Sequence, residues 1–558
     1  MREQFRSTPF SVLAQEKSFK GDVRSKILSW RILPYTGWLM LLAALSIAPV
    51  ARAQSDPPPS PLTPAEAQFD TSILNGVTPA TIPQALSLPD GIGLVSSHQS
   101  TGNVTTETNP FFQSLGTNGR TCVTCHQPEN GWGLSTATVQ SIYTNTKAQA
   151  ALFAPVDGSD CPDRGAAATQ PGRPFLMAHT QILNRANIRI AIAEPAVHDW
   201  YSVTVAADPT GCELSPIYGL NAPTPTASFY RRPLPSANTA FINPAGACSV
   251  LGPPGGACKQ NIMWDTREPS LESQFADATM NHAQATSAQL SALVEQITEM
   301  GSSFPGISFQ NGNFAAQSWD NYAWDLTGGD GSGANGGPNA LMALNPAGTF
   351  RPAAFFGGEA FDIFDNLAPG DLPWTASQRA SIQRGQNLFN NYPLNITGVR
   401  GMNDLLGQKT IVGSCRFCHN NLDVGNDFAA DAKDIGVMDS TSDVMPPTAD
   451  LPLFTFLCPQ GSLSSNGVTP YSNPVACGAN TCDEYQTTDP GKAWITGQCA
   501  DLGKMKVPAL RGQGSRAPFF HGGNAETMED VVNFYNQRFN MGLTQQQILD
   551  LVNFLNAL

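Results

Sequence analysis

Cys122-Val-Thr-Cys125-His126 and Cys415-Arg-Phe-Cys418-His419 are two copies of one five-residue pattern, one in each half of the chain. Each copy places two thiols three positions apart and an imidazole directly after the second thiol. The two copies form a long-range repeat, and no repeat of shorter period is present.

The pattern Cys-x-x-Cys-His attaches haem c, since the two thiols add to the porphyrin vinyl groups and the next residue binds the iron. A thioredoxin-like dithiol would follow a strand and open a helix in a βαβ unit, and no such pattern is visible. Half a zinc site would need a second Cys/His pair nearby, and none lies at usable spacing. We therefore predict two covalently bound haem c groups, with thioether bonds and proximal iron ligands from the residues Cys122, Cys125, His126, Cys415, Cys418 and His419.

The 558 residues are too many for a single core. The 50 glycines and 44 prolines indicate many loops, and stretches rich in these residues separate the predicted domains. We predict an N-terminal haem domain over residues 69–325, a glycine-rich linker region over 326–372 and a C-terminal haem domain over 373–558. Thr327–Asn339 is the clearest part of the linker.

The N-terminal residues are typical of a targeting segment. An apolar run from Trp38 to Val50 follows several basic residues, and Ala51-Arg52-Ala53 supplies a small-x-small cleavage site. The run is shorter than the roughly 20 residues that span a bilayer. We expect a signal peptide over residues 1–53, a proline-rich tether over 54–68, a periplasmic location and no stable membrane span after cleavage. An uncleaved membrane anchor is the alternative.

The charge balance excludes some partners. Without residues 1–53, the chain holds 23 basic and 42 acidic residues, a net charge of −19. An acidic surface repels nucleic acid and anionic lipid, so we expect no nucleic-acid partner.

Eight cysteines lie outside the two patterns, four in each predicted domain. In an oxidising compartment an even number favours disulfides within each domain. Four cysteines allow three connectivities, which sequence does not resolve. The short loops Cys248–Cys258 and Cys477–Cys482 are the preferred pairs.

Helical signals are clearest near the C-terminus. Thr544 and Gln547 form a Thr-x-x-Gln capping box before an apolar pattern at helical spacing. A second helix is expected after Thr527, and a third over Ser377–Phe389. Alternating strand patterns are scarce, so the predicted fold class is mainly α, with two cytochrome c-like haem domains, long loops and few strands.

The second half resembles the C-terminal domain of bacterial di-haem cytochrome c peroxidases and MauG-type enzymes. Beyond the Cys415 pattern, the matching residues are Gly503-Lys-Met-Lys-Val-Pro-Ala-Leu-Arg511, Ala517-Pro-Phe-Phe-His521-Gly and Met528-Glu-Asp-Val-Val-Asn-Phe-Tyr535-Asn. In the first half, Trp264-Asp-Thr-Arg267 followed by Leu271-Glu-Ser-Gln274 is similar to another family segment. Residues 199–259 look like an insertion that the simple peroxidases lack.

The resemblance assigns residues near the first haem, where peroxide reacts in that family. Trp264 matches the tryptophan between the two haems, and plain core packing is its alternative role. Gln274 matches a glutamine of the distal pocket. The position of the family's acid/base glutamate holds Gln284, an amide that cannot exchange a proton at neutral pH. His282 is the nearest titratable substitute, although a surface or capping histidine is an equal alternative.

The resemblance also bears on the second haem. Tyr535 matches the MauG position where a tyrosine binds iron, and Met541, Met445 and Met438 are the alternative ligands. His521 matches a residue near the same haem. The family often binds calcium between its domains, partly through main-chain carbonyls near Arg516 and Pro518. No matching asparagine is identified here, so calcium stays open.

These residues imply a periplasmic oxidoreductase that reduces hydrogen peroxide, with electrons passing from the C-terminal to the N-terminal haem. A small redox protein such as a cytochrome c or a cupredoxin is the implied electron donor. The alternatives are MauG-like or rubber-oxygenase-like oxidation of a protein or organic substrate, and a non-catalytic di-haem electron carrier.

Overall fold

The computed structural model describes most of the chain beyond residue 80. The described ranges are 81–82, 85–98, 104–108, 110–236, 262–269, 271–291, 320–322, 359–362, 364–365, 374–421, 424–427, 432–464, 468–469 and 471–558. The predicted signal peptide (1–53), the tether (54–68), the linker Thr327–Asn339 and the Cys248–Cys258 pair lie outside the described residues.

Ten α-helices fall within these ranges. In chain order they are α1 Thr136–Thr146, α2 Pro162–Ala167, α3 Arg173–Ala178, α4 Thr180–Arg185, α5 Leu271–Asn281, α6 Ala376–Asn391, α7 Asn403–Leu406, α8 Ala493–Thr496, α9 Met528–Arg538 and α10 Gln545–Leu555.

All three helices predicted from sequence are confirmed. Each of α6, α9 and α10 begins after a threonine whose side chain caps the first turn, and each cap is a reciprocal capping box. Two free amide groups of each first turn are thereby satisfied by local side chains, which is why the sequence alone located these helices.

Thirteen strands accompany the helices in the described ranges. They are β1 Thr81–Ile82, β2 Ala85–Asp90, β3 Gly93–His98, β4 Val104–Thr105, β5 Ile188–Ala193, β6 Ser202–Ala207, β7 Thr226–Arg231, β8 Asp320–Tyr322, β9 Leu394–Thr397, β10 Thr410–Gly413, β11 Leu453–Pro459, β12 Pro474–Cys477 and β13 Asn480–Thr487.

The predicted mainly-α fold class is therefore wrong. Helix accounts for 32% of the interpretable residues and strand for 18%, in several sheets. The largest sheet has the order β12-β13-β11-β6 and is antiparallel throughout. Its edge strand β6 comes from the predicted insertion, whereas its other strands lie some 250 residues later. Pairing over such a distance leaves no local signal beyond weak alternation.

An aromatic core covers one face of this sheet. Phe454, Phe456 and Cys458 alternate inward along β11, and Trp200 and Trp494 stack in parallel at a ring-centroid distance of 5.9 Å. The described part of the predicted insertion thus contributes its own buried side chains to this core.

Two further hydrophobic cores form between helices, one in each half of the chain. In the second half, α6 crosses α10, and Phe389 and Phe554 pack with α9 residues. In the first half, α1 and α4 pack around Val139, Phe153 and Ile182. Each core lies beside one of the two cysteine patterns, since Cys415 packs against the former and Cys125 against the latter.

Three disulfides join the described cysteines outside the patterns: Cys161–Cys212, Cys458–Cys499 and Cys477–Cys482. The predicted Cys477–Cys482 pair is confirmed, and every pair lies within one half of the sequence. Among the described residues, no helix combines the length and the apolar character that crossing a membrane requires.

Candidate functional site

Each cysteine pattern forms one turn of 3-10 helix that gathers its side chains at a cavity. In the first, the amide of His126 donates to the carbonyl of Cys122 at 3.0 Å. The turn brings Cys122, Cys125 and His126 to the lining of one cavity. His126 Nδ1 lies 3.1 Å from the carbonyl oxygen of Trp132, so that nitrogen donates and Nε2 is left for a ligand role.

The second pattern repeats this geometry. The amide of His419 donates to the carbonyl of Cys415 at 3.2 Å, and His419 Nδ1 donates to the carbonyl of Gly425 at 2.6 Å. Cys415, Cys418 and His419 line a second cavity. The two patterns thus present the same three groups to two separate cavities.

The chemistry of these groups fits haem c. Among the described cysteines, only the four of the two patterns are outside disulfides. Burial raises the pKa of the Cys122 and Cys415 thiols to about 12. Burial also lowers the pKa of both His126 and His419 to about 4, so that each imidazole is neutral, the form that binds a metal.

The first cavity receives three of the four predicted distal residues. The cavity is lined by Trp264, Gln274 and His282. Gln274 lies on α5, and His282 lies in the turn that follows it. Gln284 is exposed, has a φ of +56° and is not among the lining residues. Proximity to the first pattern therefore favours His282 over Gln284 as a participant in chemistry there.

A loop just before the first pattern holds His282 in place. The amide of Thr117 donates to the carbonyl of Ala283 at 3.1 Å, and Asn118 Nδ2 donates to the carbonyl of His282 at 2.7 Å. Gly116 permits this approach, because a Cβ there would meet the Ala283 oxygen at 1.9 Å. The residues that precede Cys122 thus fix the turn that carries His282.

His282 has a partner that sequence reasoning missed. Its Nδ1 lies 2.5 Å from Oδ2 of Asp157, and the other oxygen of that carboxylate pairs with the guanidinium of Arg120. The Asp157 and Arg120 side chains are buried. Burial and then the charge of Arg120 lower the pKa of His282 to about 4, so the imidazole is neutral at pH 7. Nδ1 donates to Asp157, which leaves Nε2 as a proton acceptor.

One wall is common to both cavities. It consists of Trp264 and two short segments, Arg232–Pro235 and Lys506–Ala509. All of these residues line both cavities except Val507, which lines only the second. The first segment directly follows β7, inside the region that the sequence marks as an insertion. The predicted insertion therefore contributes residues to both cavity linings.

Trp264 is fixed in this wall by its neighbours. Its indole Nε1 donates to the carbonyl of Arg232 at 2.8 Å, and its own carbonyl accepts from the amide of Lys506 at 2.8 Å. The ring of His521, which lines the second cavity, lies 6.1 Å away between centroids. These contacts come from both halves of the chain.

A buried ion network continues from Trp264. Arg231 binds Asp489 at 2.6 Å and also pairs with Asp265, while Arg267 lies 3.1 Å from Asp265. Burial alone would raise the pKa of Asp265, but the charges of Arg231 and Arg267 hold it below its ordinary value. Asp265 is thus an ionised anchor for the segment that carries Trp264.

In the second cavity, Tyr535 and Met541 both line the space beside His419. Met438 is buried in another cluster with Tyr230 and Leu451, and neither it nor Met445 belongs to the cavity lining. Burial raises the pKa of Tyr535 above its ordinary value. The four sixth-ligand candidates from sequence thus reduce to two by position.

The main-chain carbonyl of Arg516, near which the resemblance places calcium, is engaged by an arginine side chain. The main-chain oxygen of Arg516 accepts from the guanidinium of Arg232. No group of three or more His, Cys, Asp or Glu side chains suited to a metal occurs among the described residues. A cationic side chain therefore binds one of the carbonyls near which the resemblance places calcium.

Comparison with known proteins gives limited support. No protein-family model matches the chain. A stretch of 91 residues, 14% of this chain, is 34% identical to a cytochrome-c peroxidase of Denitromonas iodatirespirans, and it spans only 24% of that protein. Among solved structures, a MauG-like protein associated with microbial copper homeostasis matches with 17% identity over 59% of this chain and 76% of that one, at a TM-score of 0.26. The curated match is loosely consistent with the peroxidase family, whereas the TM-score is too low to define a shared fold.

Proposed function

We propose that the chain is a di-haem c-type oxidoreductase that reduces hydrogen peroxide to water. The observation that carries the proposal is the pair of cavities, each lined by two unpaired thiols and a neutral imidazole, that share a wall containing Trp264. A haem iron in each cavity would supply the redox chemistry, one taking peroxide and the other passing electrons. Peroxide, two electrons and two protons give two waters.

The chain's own residues supply the proton handling at the first cavity. Neutral His282 accepts a proton from peroxide at Nε2 and returns it to the departing oxygen, while Asp157 holds the ring through Nδ1. Arg120 pairs with the other oxygen of Asp157 and holds that carboxylate in place. Gln274, on α5, lines the same space with an amide that donates and accepts hydrogen bonds.

Trp264 is proposed as the electron relay, because its side chain belongs to both cavity linings. The ion network of Asp265, Arg231 and Asp489 fixes that position. Plain core packing, the alternative role, does not require a half-buried indole placed between two cavities.

The proposed setting is the periplasm, and three disulfides fit an oxidising compartment. A small redox protein such as a cytochrome c or a cupredoxin would deliver the electrons. A net charge of −19 after signal cleavage favours a donor with a basic surface, and such encounters weaken as salt rises.

A second function, MauG-like oxidation of a protein or organic substrate, is favoured by one observation. Tyr535 lines the second cavity, and a phenolate ligand stabilises ferric iron and lowers the reduction potential. Peroxide turnover without any reducing donor protein, accompanied by oxidation of an added substrate, would favour this alternative.

The test is peroxide turnover by holoprotein with several electron donors, after haem staining of a denaturing gel has shown covalent attachment. His282→Ala should lower turnover by about 10²–10⁴-fold, the usual contribution of a general acid–base. Because the pKa of His282 is about 4, wild-type turnover should fall as the pH drops through that value, where a protonated imidazole accepts no proton.

His198→Ala is the matched control, since His198 stacks on Trp200 and belongs to neither cavity lining. Turnover should be unchanged in that variant. Full haem loading with no loss of turnover in His282→Ala would refute the assigned proton transfer, and absence of covalent haem would refute the whole proposal.

A further inference from the structure

Arg232 is the one arginine that belongs to both cavity linings in the described part of the chain. Its main chain ties the wall together, since its amide donates to the carbonyl of His521 at 2.8 Å and its carbonyl accepts from Trp264. Its guanidinium donates from Nη1 to the carbonyl of Arg516 and from Nη2 to the carbonyl of Leu134. The side chain therefore links the first half to the second at the wall.

The charge of Arg232 lacks a counter-charge among the described residues. The residue exposes only 7% of its surface, and Nε has no hydrogen-bond acceptor among the described residues. Burial and the nearby charge of Arg516 lower its pKa to about 9, so it remains a cation at neutral pH. Arg231, one residue earlier, is in contrast paired with two carboxylates.

A buried cation that has an N–H donor without an acceptor is stabilised by an anion beside it. Nε is the open donor, and Arg232 lines both cavities, so an anionic group held in either cavity can reach this side chain. Carboxylates are suitable anions, because hydrogen bonds between a guanidinium N–H and a carboxylate are charge-assisted and strong. The haems proposed for the two cavities carry such carboxylates on their edges.

We propose that Arg232 is a binding site for the haem carboxylates at the shared wall, and that its guanidinium takes the place of a divalent cation there. The proposal rests on the proposed function only in requiring bound haem. Main-chain carbonyls are ligands that calcium uses. The carbonyls of Arg516 and Leu134 instead accept hydrogen bonds from Arg232, and a second cation beside a buried guanidinium would be repelled.

The first arm of the test is elemental analysis of holoprotein after gel filtration in calcium-free buffer, with iron as the internal reference. We expect no bound calcium, and no change in the two midpoint potentials on adding EGTA or calcium chloride. One retained calcium per chain, or a potential that moves with EGTA and returns with calcium, would overturn the proposal.

The second arm removes the charge. Loss of a cation beside a haem carboxylate favours the oxidised state, so Arg232→Gln should lower the potential of at least one haem. We expect a tenfold change in the one-electron equilibrium constant, a shift of about 59 mV. Arg232→Lys retains the charge and should recover most of the shift.

Arg189→Gln is the matched control, since Arg189 is equally buried but donates to Ser228 and lines neither cavity. Unchanged potentials in fully haem-loaded Arg232→Gln would overturn the proposal. If Arg232→Gln does not accumulate with bound haem, the proposal is tested by the calcium measurements and by the midpoint potentials of Arg232→Lys. Retained calcium would still overturn the proposal, and so would a Lys variant whose potentials differ from wild type by the full shift of about 59 mV. None of these readouts depends on peroxide turnover, so failure of the proposed reaction is separately visible.

Discussion

At the scale of single residues, the first cavity holds a different side chain from the one that the resemblance places there for proton transfer. The resemblance places an acid/base at position 284, yet Gln284 is exposed and the cavity receives His282 instead. Asp157 orients that histidine from 125 residues away. A His–Asp pair supplies a proton acceptor whose tautomer is fixed, which an amide cannot do.

The second cavity leaves a choice of sixth ligand that a pair of substitutions resolves. If Tyr535 binds the iron, Tyr535→Phe should change the spectrum of that haem and raise its potential, because an anionic oxygen ligand is lost. The measurement is absorption spectroscopy with redox titration. Met438→Leu is the control, since Met438 is buried in a separate cluster. An unchanged spectrum in Tyr535→Phe, with a changed one in Met541→Ala, would assign the ligand to Met541.

At the scale of elements, the crossing of α6 and α10 depends on one glycine. A Cβ on Gly385 would meet the carbonyl oxygen of Asp550 at 2.0 Å and Cβ of Phe554 at 2.6 Å. Ala is favoured over Gly in a helix by about 1 kcal/mol, whereas overpacking costs about 1–3 kcal/mol. The first contact is with backbone and the second is with the Cβ atom of a buried side chain, neither of which can move aside easily, so we expect the packing cost to exceed the helix-propensity gain.

Gly385→Ala should therefore lower the free energy of unfolding by up to about 2 kcal/mol, measured by chemical denaturation. Asn387→Ala, on the exposed side of the same helix, is the control and should change it by no more than about 0.5 kcal/mol. A more stable Gly385→Ala variant would show that the helices can separate without cost.

At the scale of the whole molecule, a buried carboxyl makes stability depend on pH. Glu213 is fully buried under the amide of Ser228, which donates to it at 3.0 Å. Burial raises its pKa to about 8 in the folded chain, whereas its unfolded value is about 4.3. Its contribution to stability is therefore complete below about pH 4.3 and is lost as the pH rises to about 8, at up to about 1.4 kcal/mol per unit.

Glu213→Gln removes this titration and should flatten the dependence of unfolding free energy on pH between about 4.3 and 8. Denaturation at several pH values in that window measures the slope. Glu194→Gln, at a partly exposed position, is the comparison and should keep the wild-type slope. Equal slopes in wild type and Glu213→Gln would show that Glu213 is ionised in the folded protein.

The whole molecule also shows which parts of the fold are local. Sequence analysis located the two Cys-x-x-Cys-His patterns, the three capped helices and the Cys477–Cys482 pair, because in each the interacting groups lie within a few residues. The four-stranded sheet escaped prediction, because β6 finds its partner β11 only after the chain has folded back.

The functional arrangement divides in the same way. The sequence indicated Trp264, Gln274 and His282 as candidates, and only the folded chain shows that these three line one cavity and that Gln284 does not. Asp157 and Arg232 carry no local motif, and the roles proposed for them depend on contacts with groups 125 and 284 residues away. Covalent attachment needs only neighbouring atoms along the chain, whereas proton transfer and charge balance need buried groups that only folding brings together.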